Sequence, residues 1–123
     1  MAKTLQIAGN IKVLDGTTEE FVKAISVSEN VSEWTLQTLS LAASASDVSI
    51  NFGGVNSDSP LVIIVPTYVS SGYITANING GTDNIPIGKL FVIGGSGSNG
   101  VDAITLSNPD ASNDVTVDVY IGK

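Results

Sequence analysis

Histidine and cysteine are both absent from the 123 residues, and most side-chain chemistry goes with them. Neither a Ser-His-Asp nor a Cys-His nucleophile can be assembled, because the adjacent base or the thiol is missing. A serine activated by lysine would need a Ser-x-x-Lys spacing, and none of Lys3, Lys12, Lys23, Lys89 or Lys123 has a serine three residues before it. Paired carboxylates suffice for glycoside hydrolysis, but Asp47, Asp114 and Asp118 fall in turns or on the polar face of an alternating strand, where carboxylates are ordinarily solvated. No residue is assigned a catalytic role, and the chain reads as a non-enzyme.

Ligand chemistry is scarcely richer. A metal site would have to use oxygen donors, and the densest run of these is Asn108-Pro109-Asp110-Ala111-Ser112-Asn113-Asp114. Calcium takes six to eight such donors, yet the spacing is not that of an EF-hand loop, and Asn and Asp are common turn formers. The preferred reading is a turn, with no metal and no cofactor. Gly94-Gly95-Ser96-Gly97-Ser98-Asn99-Gly100 lacks the lysine-hydroxyl ending of a phosphate loop and no helix follows it. It reads as a flexible connection that touches a partner. Tyr68, Tyr73 and Tyr120 are the candidates for an aromatic sugar-binding platform. Asn30-Val31-Ser32 matches a glycosylation sequon by chance, since no secretory signal accompanies it.

Twelve acidic residues against five lysines and no arginine give a net charge of −7. The lysines are scattered rather than clustered, which argues against nucleic-acid and anionic-membrane binding. Residues 1–7 hold no apolar signal region. The longest aliphatic run, Leu61-Val62-Ile63-Ile64-Val65, is far short of the ~20 residues a spanning helix needs. The expectation is synthesis and folding in a cytoplasm.

The elements that position these residues read as strands. Val48, Ile50 and Phe52 alternate with polar neighbours, as do Val115, Val117, Val119 and Ile121; period two is the mark of a strand with one face buried. Glycine- and asparagine-rich turn signals at Gly9-Asn10, Asp15-Gly16, Gly53-Gly54, Ser71-Gly72, Asn79-Gly80-Gly81 and Gly94-Gly97 divide the chain. The expected strands are 4–8, 10–14, 19–27, 32–42, 46–53, 60–66, 72–79, 86–93, 101–107 and 113–121. Asp15-Gly16 predicts a hairpin; the competing reading is one short helix capped by Thr17 with Glu20 at capping-box spacing. The 60–66 run wants cover on both faces, as a central strand or an oligomer contact. The expected fold is all-β: an antiparallel β-sandwich, jelly-roll or immunoglobulin-like, in one domain over 1–123, with 1–7 as an N-terminal arm.

One internal echo stands out. Thr38-Leu39-Ser40 followed by Asp47-Val48-Ser49-Ile50-Asn51-Phe52 matches Thr105-Leu106-Ser107 followed by Asp114-Val115-Thr116-Val117-Asp118-Val119. Each reads as a hairpin of strand, small polar turn and alternating strand. Two such hairpins would stack face to face, whether they arose by duplication or by similar turn chemistry.

The stretch Val101–Ile121, in which Leu106-Ser107-Asn108 closes one strand, a small-residue turn follows and Val115-Thr116-Val117 opens the next, resembles a recurring hairpin of small tailed-phage virion proteins. The likeness covers about a sixth of the chain clearly, and the acidic, cysteine-free, signal-free character of the remainder suits it. It implies a bacteriophage capsid decoration (cement) protein on the virion surface, a homotrimer bound to the major capsid protein. Two other roles fit the same features: a head-fibre or tail domain that binds a receptor or glycan, and a stand-alone carbohydrate-binding module.

Overall fold

A computed structural model describes residues 3–51, 61–66, 73–94 and 100–122. All regular structure among them is β, and every strand pairing is antiparallel. The short helix at Thr17–Glu20 does not form; Thr18–Val31 is a strand instead.

Two layers make the body. One sheet has the order β3 (Trp34–Leu41), β10 (Val115–Gly122), β5 (Leu61–Pro66), β8 (Phe91–Gly94). The other runs β4 (Val48–Ser49), β9 (Ile104–Ser107), β6 (Ile74–Ile78), β7 (Ile85–Ile87). Alternate residues of both sheets meet in one core: Val62, Ile64, Val117 and Val119 from the first, and Ile74, Ile87, Ile104 and Leu106 from the second. The chain is therefore a β-sandwich, as the period-two pattern predicts. Successive strands from β3 onward alternate between the sheets, except β6 and β7, which pair as neighbours.

The 60–66 run becomes β5, flanked by β10 and β8. Val62 and Ile64 face the core. On the outer face Ile63 and Val65 stay half-buried, while Leu61 is buried outside that core cluster. Residues 86–93, expected as one strand, split at Gly88-Lys89-Leu90 into β7 and β8, which belong to different sheets. Lys89 interrupts the row of Ile87, Phe91 and Ile93 that faces the core, and the chain changes sheet at this interruption.

The echoed segments also differ from expectation. Neither is a hairpin. β3 and β4 lie in opposite sheets, as do β9 and β10; each segment is an arch that crosses the sandwich, and the two arches pair with each other. β3 lies along β10 and β4 along β9. The 101–121 stretch, expected as a hairpin, is one of these arches. A hairpin and an arch share the same strand-turn-strand sequence, and only the neighbour that satisfies the backbone tells them apart.

A third, two-stranded sheet stands apart from the sandwich sheets. β1 (Lys3–Asp15, 13 residues) and β2 (Thr18–Val31, 14 residues) form one long ribbon. Asp15 pairs with Thr18, which leaves Gly16-Thr17 as the turn. Gly16 has φ +61°, the glycine-first arrangement of a type II′ turn that matches strand twist. Gly9-Asn10, read as a turn, instead pairs with Ile25 and Ala24 inside the ribbon, so the expected 4–8 and 10–14 strands are one. Residues 3–7, the described part of the expected N-terminal arm, pair with 27–31 at the root of the ribbon.

Candidate functional site

Strand register sorts the ribbon's side chains into two faces, since directly paired residues point the same way. Leu5, Ile7, Ile11 and Val13 of β1 share a face with Val27, Ile25 and Phe21 of β2. The opposite face carries Thr4, Gln6, Asn10 and Lys12 against Asn30, Ser28, Ala24 and Val22. There Lys12 Nζ lies 2.8 Å from Glu19 Oε1 and Thr4 Oγ1 donates to Asn30 Oδ1 at 3.5 Å. The ribbon is thus amphipathic, with an apolar side interrupted by Gly9 and Lys23.

Burial along that side falls from root to tip. Val31 is 4% exposed, Leu5, Ile7 and Ile25 are half-buried, and Ile11, Val13 and Phe21 are 51%, 49% and 52% exposed. The root is held by the outer face of the first sandwich sheet. At Gly122 an added Cβ would lie 2.8 Å from Val31 Cγ1 and 3.0 Å from Leu5 Cδ2, so only glycine lets the ribbon sit this close to β10. A bulge between Val13 and Leu14 twists the tip.

Two hollows flank the root, each of ≈ 450 Å³. One is lined by Lys3, Thr4, Leu5, Val31 and Trp34. The other lies between Leu5–Ala8 of the ribbon and Ile63, Leu90, Val92 and Tyr120 of the sandwich. Leu36 pairs with Tyr120, Tyr120 with Ile63, and Ile63 with Val92, so an apolar row crosses the whole outer face of this sheet. Trp34 and Leu36 at its β3 edge are 56% and 51% exposed, and Leu90 beyond β8 is 61% exposed. Large apolar side chains gathered this way mark an interaction surface.

The residues weighed for chemistry in the sequence do not form a site. Asp114 and Asp118 serve structure: Asp114 Oδ1 accepts from Ala43 N at 3.0 Å, and Asp118 Oδ1 accepts from Thr38 Oγ1 at 2.7 Å. Asp47 donates its backbone N–H to Ser107 Oγ at 2.9 Å. Among the described residues no three acidic side chains gather.

The Asn108–Asp114 turn is a lock between the two arches. Asn108 is 1% exposed. Its Nδ2 donates to the carbonyls of Leu41 (3.2 Å), Ala42 (3.2 Å) and Asn113 (2.8 Å), and its Oδ1 accepts from Asp110 N at 3.0 Å. Asp110 in turn accepts from Ser112 N, Asn113 N and Asn113 Nδ2. Backbone bonds Ser44 N to Asp110 O and Asn108 N to Ala45 O, both 2.8 Å, tie the arches directly. Asn108 Oδ1, both carboxylate oxygens of Asp110 and Asp114 Oδ1 accept from N–H groups.

Of the three tyrosines, Tyr73 precedes β6 in one sheet and Tyr120 lies on β10 in the other, while Tyr68 is outside the described residues. Tyr120 instead joins the apolar row. The Gly94–Gly100 connection falls mostly outside the described residues. No helix is long and apolar enough to cross a membrane among the residues described. Gly9-Asn10 reads as a break and conceals the ribbon face in the sequence; the alternation of Leu5, Ile7, Ile11 and Val13 is the signal that reveals it.

Comparison with family models, with curated proteins and with solved structures finds no match for this chain.

Proposed function

We propose that the chain is a structural subunit of a virus particle, a capsid decoration protein that binds the outer shell and stabilises it without catalysis. The observation that carries this is the amphipathic ribbon, which holds a row of large apolar side chains in solvent at the end of a rigid sandwich. A free monomer gains nothing from such a face, whereas a subunit that assembles buries it. The strand order β3-β10-β5-β8 over β4-β9-β6-β7 supports reading the sandwich as a jelly roll, an eight-stranded wiring that recurs in viral capsid and lectin domains. Fold likeness alone does not assign a role; the exposed ribbon points the same way. In this reading the partner is the major capsid protein, and three copies engage a threefold site together, which multiplies weak contacts.

The test is co-sedimentation of the purified chain with empty tailed-phage capsids. Pelleting with the shells at micromolar concentration is the expected result, and absence from every pellet refutes the proposal. The second reading, a head-fibre or tail domain binding a glycan, draws on Tyr120 beside Gln6 in the second hollow. Binding on a glycan array that Tyr120→Ala abolishes would favour it.

A further inference from the structure

We infer that the tip of the ribbon is an intersubunit arm: Phe21 of one copy seats in the hollow beside Trp34 of the next. Three observations carry this. The first is that each chain holds both halves of the contact. Ile11, Val13 and Phe21 project without cover, and Trp34 and Leu36 stand open on the β3 edge beside a hollow of ≈ 450 Å³ walled by Leu5 and Val31. The ribbon's root already lies against Gly122 of the same sheet through Leu5 and Val31, so the two surfaces are of matching chemistry.

Charge is the second. Lys23 pairs with Ile11 and therefore sits within the exposed half of the apolar face. Asp118 points outward from β10, one alternation along from Tyr120, whose partner is Leu36. A cation among apolar side chains thus meets a carboxylate bordering an apolar strip. Residues 3–31 as a whole hold three lysines (Lys3, Lys12, Lys23) and four acids (Asp15, Glu19, Glu20, Glu29), net −1; the remaining chain therefore holds −6 of the −7. A near-neutral arm approaches an acidic body with little repulsion.

Area is the third. The uncovered ribbon face is about 20 Å long and 10 Å wide at strand spacing, or about 200 Å². One contact of that size falls far short of the ~800 Å² per partner of a stable interface. A second copy offers two such contacts per chain, one given and one received, about 400 Å² in all at strand spacing, so each is weak until a ring closes. In a closed ring each new contact makes the last one intramolecular, and Phe21 fills the role of an aromatic anchor in a pocket. The inference takes from the proposed function only the closed homo-oligomer.

Because the chain lacks cysteine, the contact can be captured directly. Two differently tagged full-length variants, Phe21→Cys and Trp34→Cys, are co-expressed and mildly oxidised. A disulfide joining the two tags is expected, while Ser26→Cys, on the ribbon's other face, paired with Trp34→Cys gives none. Equal cross-linking of both pairs overturns the inference. Sedimentation equilibrium is the second measurement. The wild-type chain is expected to self-associate, Phe21→Ala to weaken association by about tenfold or more, and Lys23→Glu to weaken it until Asp118→Lys is added. A wild-type chain that is monomeric at high-micromolar concentration overturns the arm. The two proposals fail separately: a monomer that pellets with capsids overturns only the arm, and a cross-linked oligomer that never pellets supports the arm and overturns decoration.

Discussion

Replacing Asn108 with alanine should unlock the two arches. Its amide has two N–H groups facing three carbonyls, so one N–H is shared, and its oxygen holds Asp110 N. Alanine removes all four contacts. The carbonyls of exposed Ala42 and Asn113 can turn to water, but Leu41 is 0% exposed and its carbonyl loses a partner it cannot easily replace. An orphaned buried group costs about 1–3 kcal/mol and each net hydrogen bond about 1 kcal/mol, which together give about 3 kcal/mol. At roughly 4 °C per kcal/mol for a chain of this size, the midpoint should fall by about 12 °C. Urea denaturation reads the same loss as a lower midpoint with unchanged slope. Ser112→Ala, on the exposed part of the same turn, serves as the control and should stay within about 0.5 kcal/mol. A loss below about 1 kcal/mol for Asn108→Ala would refute the claim that this side chain locks the arches.

Gly122→Ala should loosen the ribbon root, because the new methyl would overlap Val31 and Leu5. Overpacking of this kind costs about 1–3 kcal/mol, and hydrogen exchange should rise first at 3–7 and 27–31. EDTA should leave the thermal midpoint almost unchanged, since the Asn108–Asp114 oxygens are bonded to N–H groups; a fall of more than about 10 °C would mean that a bound cation contributes to stability.

The sequence made the sandwich legible wherever one strand face was buried against the other sheet. Val115, Val117, Val119 and Ile121 alternate in the sequence and are the β10 core residues in the structure. What it hid were relations between strands. The Thr38–Phe52 and Thr105–Val119 echoes look like hairpins because a polar turn between strands carries no label for its partner. The partner is set by Asn108, whose bonds reach 66 and 67 residues back to Ala42 and Leu41. The ribbon was hidden differently. Gly9-Asn10 is a strong turn signal in isolation, and only the pairing of Gly9 with Ile25 and of Asn10 with Ala24 overrides it.

That override bears on function. An isolated two-stranded ribbon is at best marginally stable in water, and this one has its root against Gly122 and its tip free. On the opposite face the exposed half carries the Lys12–Glu19 pair and Asn10 beside Ala24 and Val22. Beyond Ile7 and Ile25 the apolar face is about half exposed at Ile11, Val13 and Phe21. A chain with an uncovered apolar ribbon and an uncovered apolar strip must either bury them in assembly or expose them to aggregation. Three of the four sandwich edges are short, β4 with two residues, β7 with three including Pro86 and β8 with four, while β3 is an open edge of eight residues. In the proposed contact Phe21 and Lys23 of the ribbon meet Trp34 and Asp118 beside that edge, and these four side chains set which surface meets which.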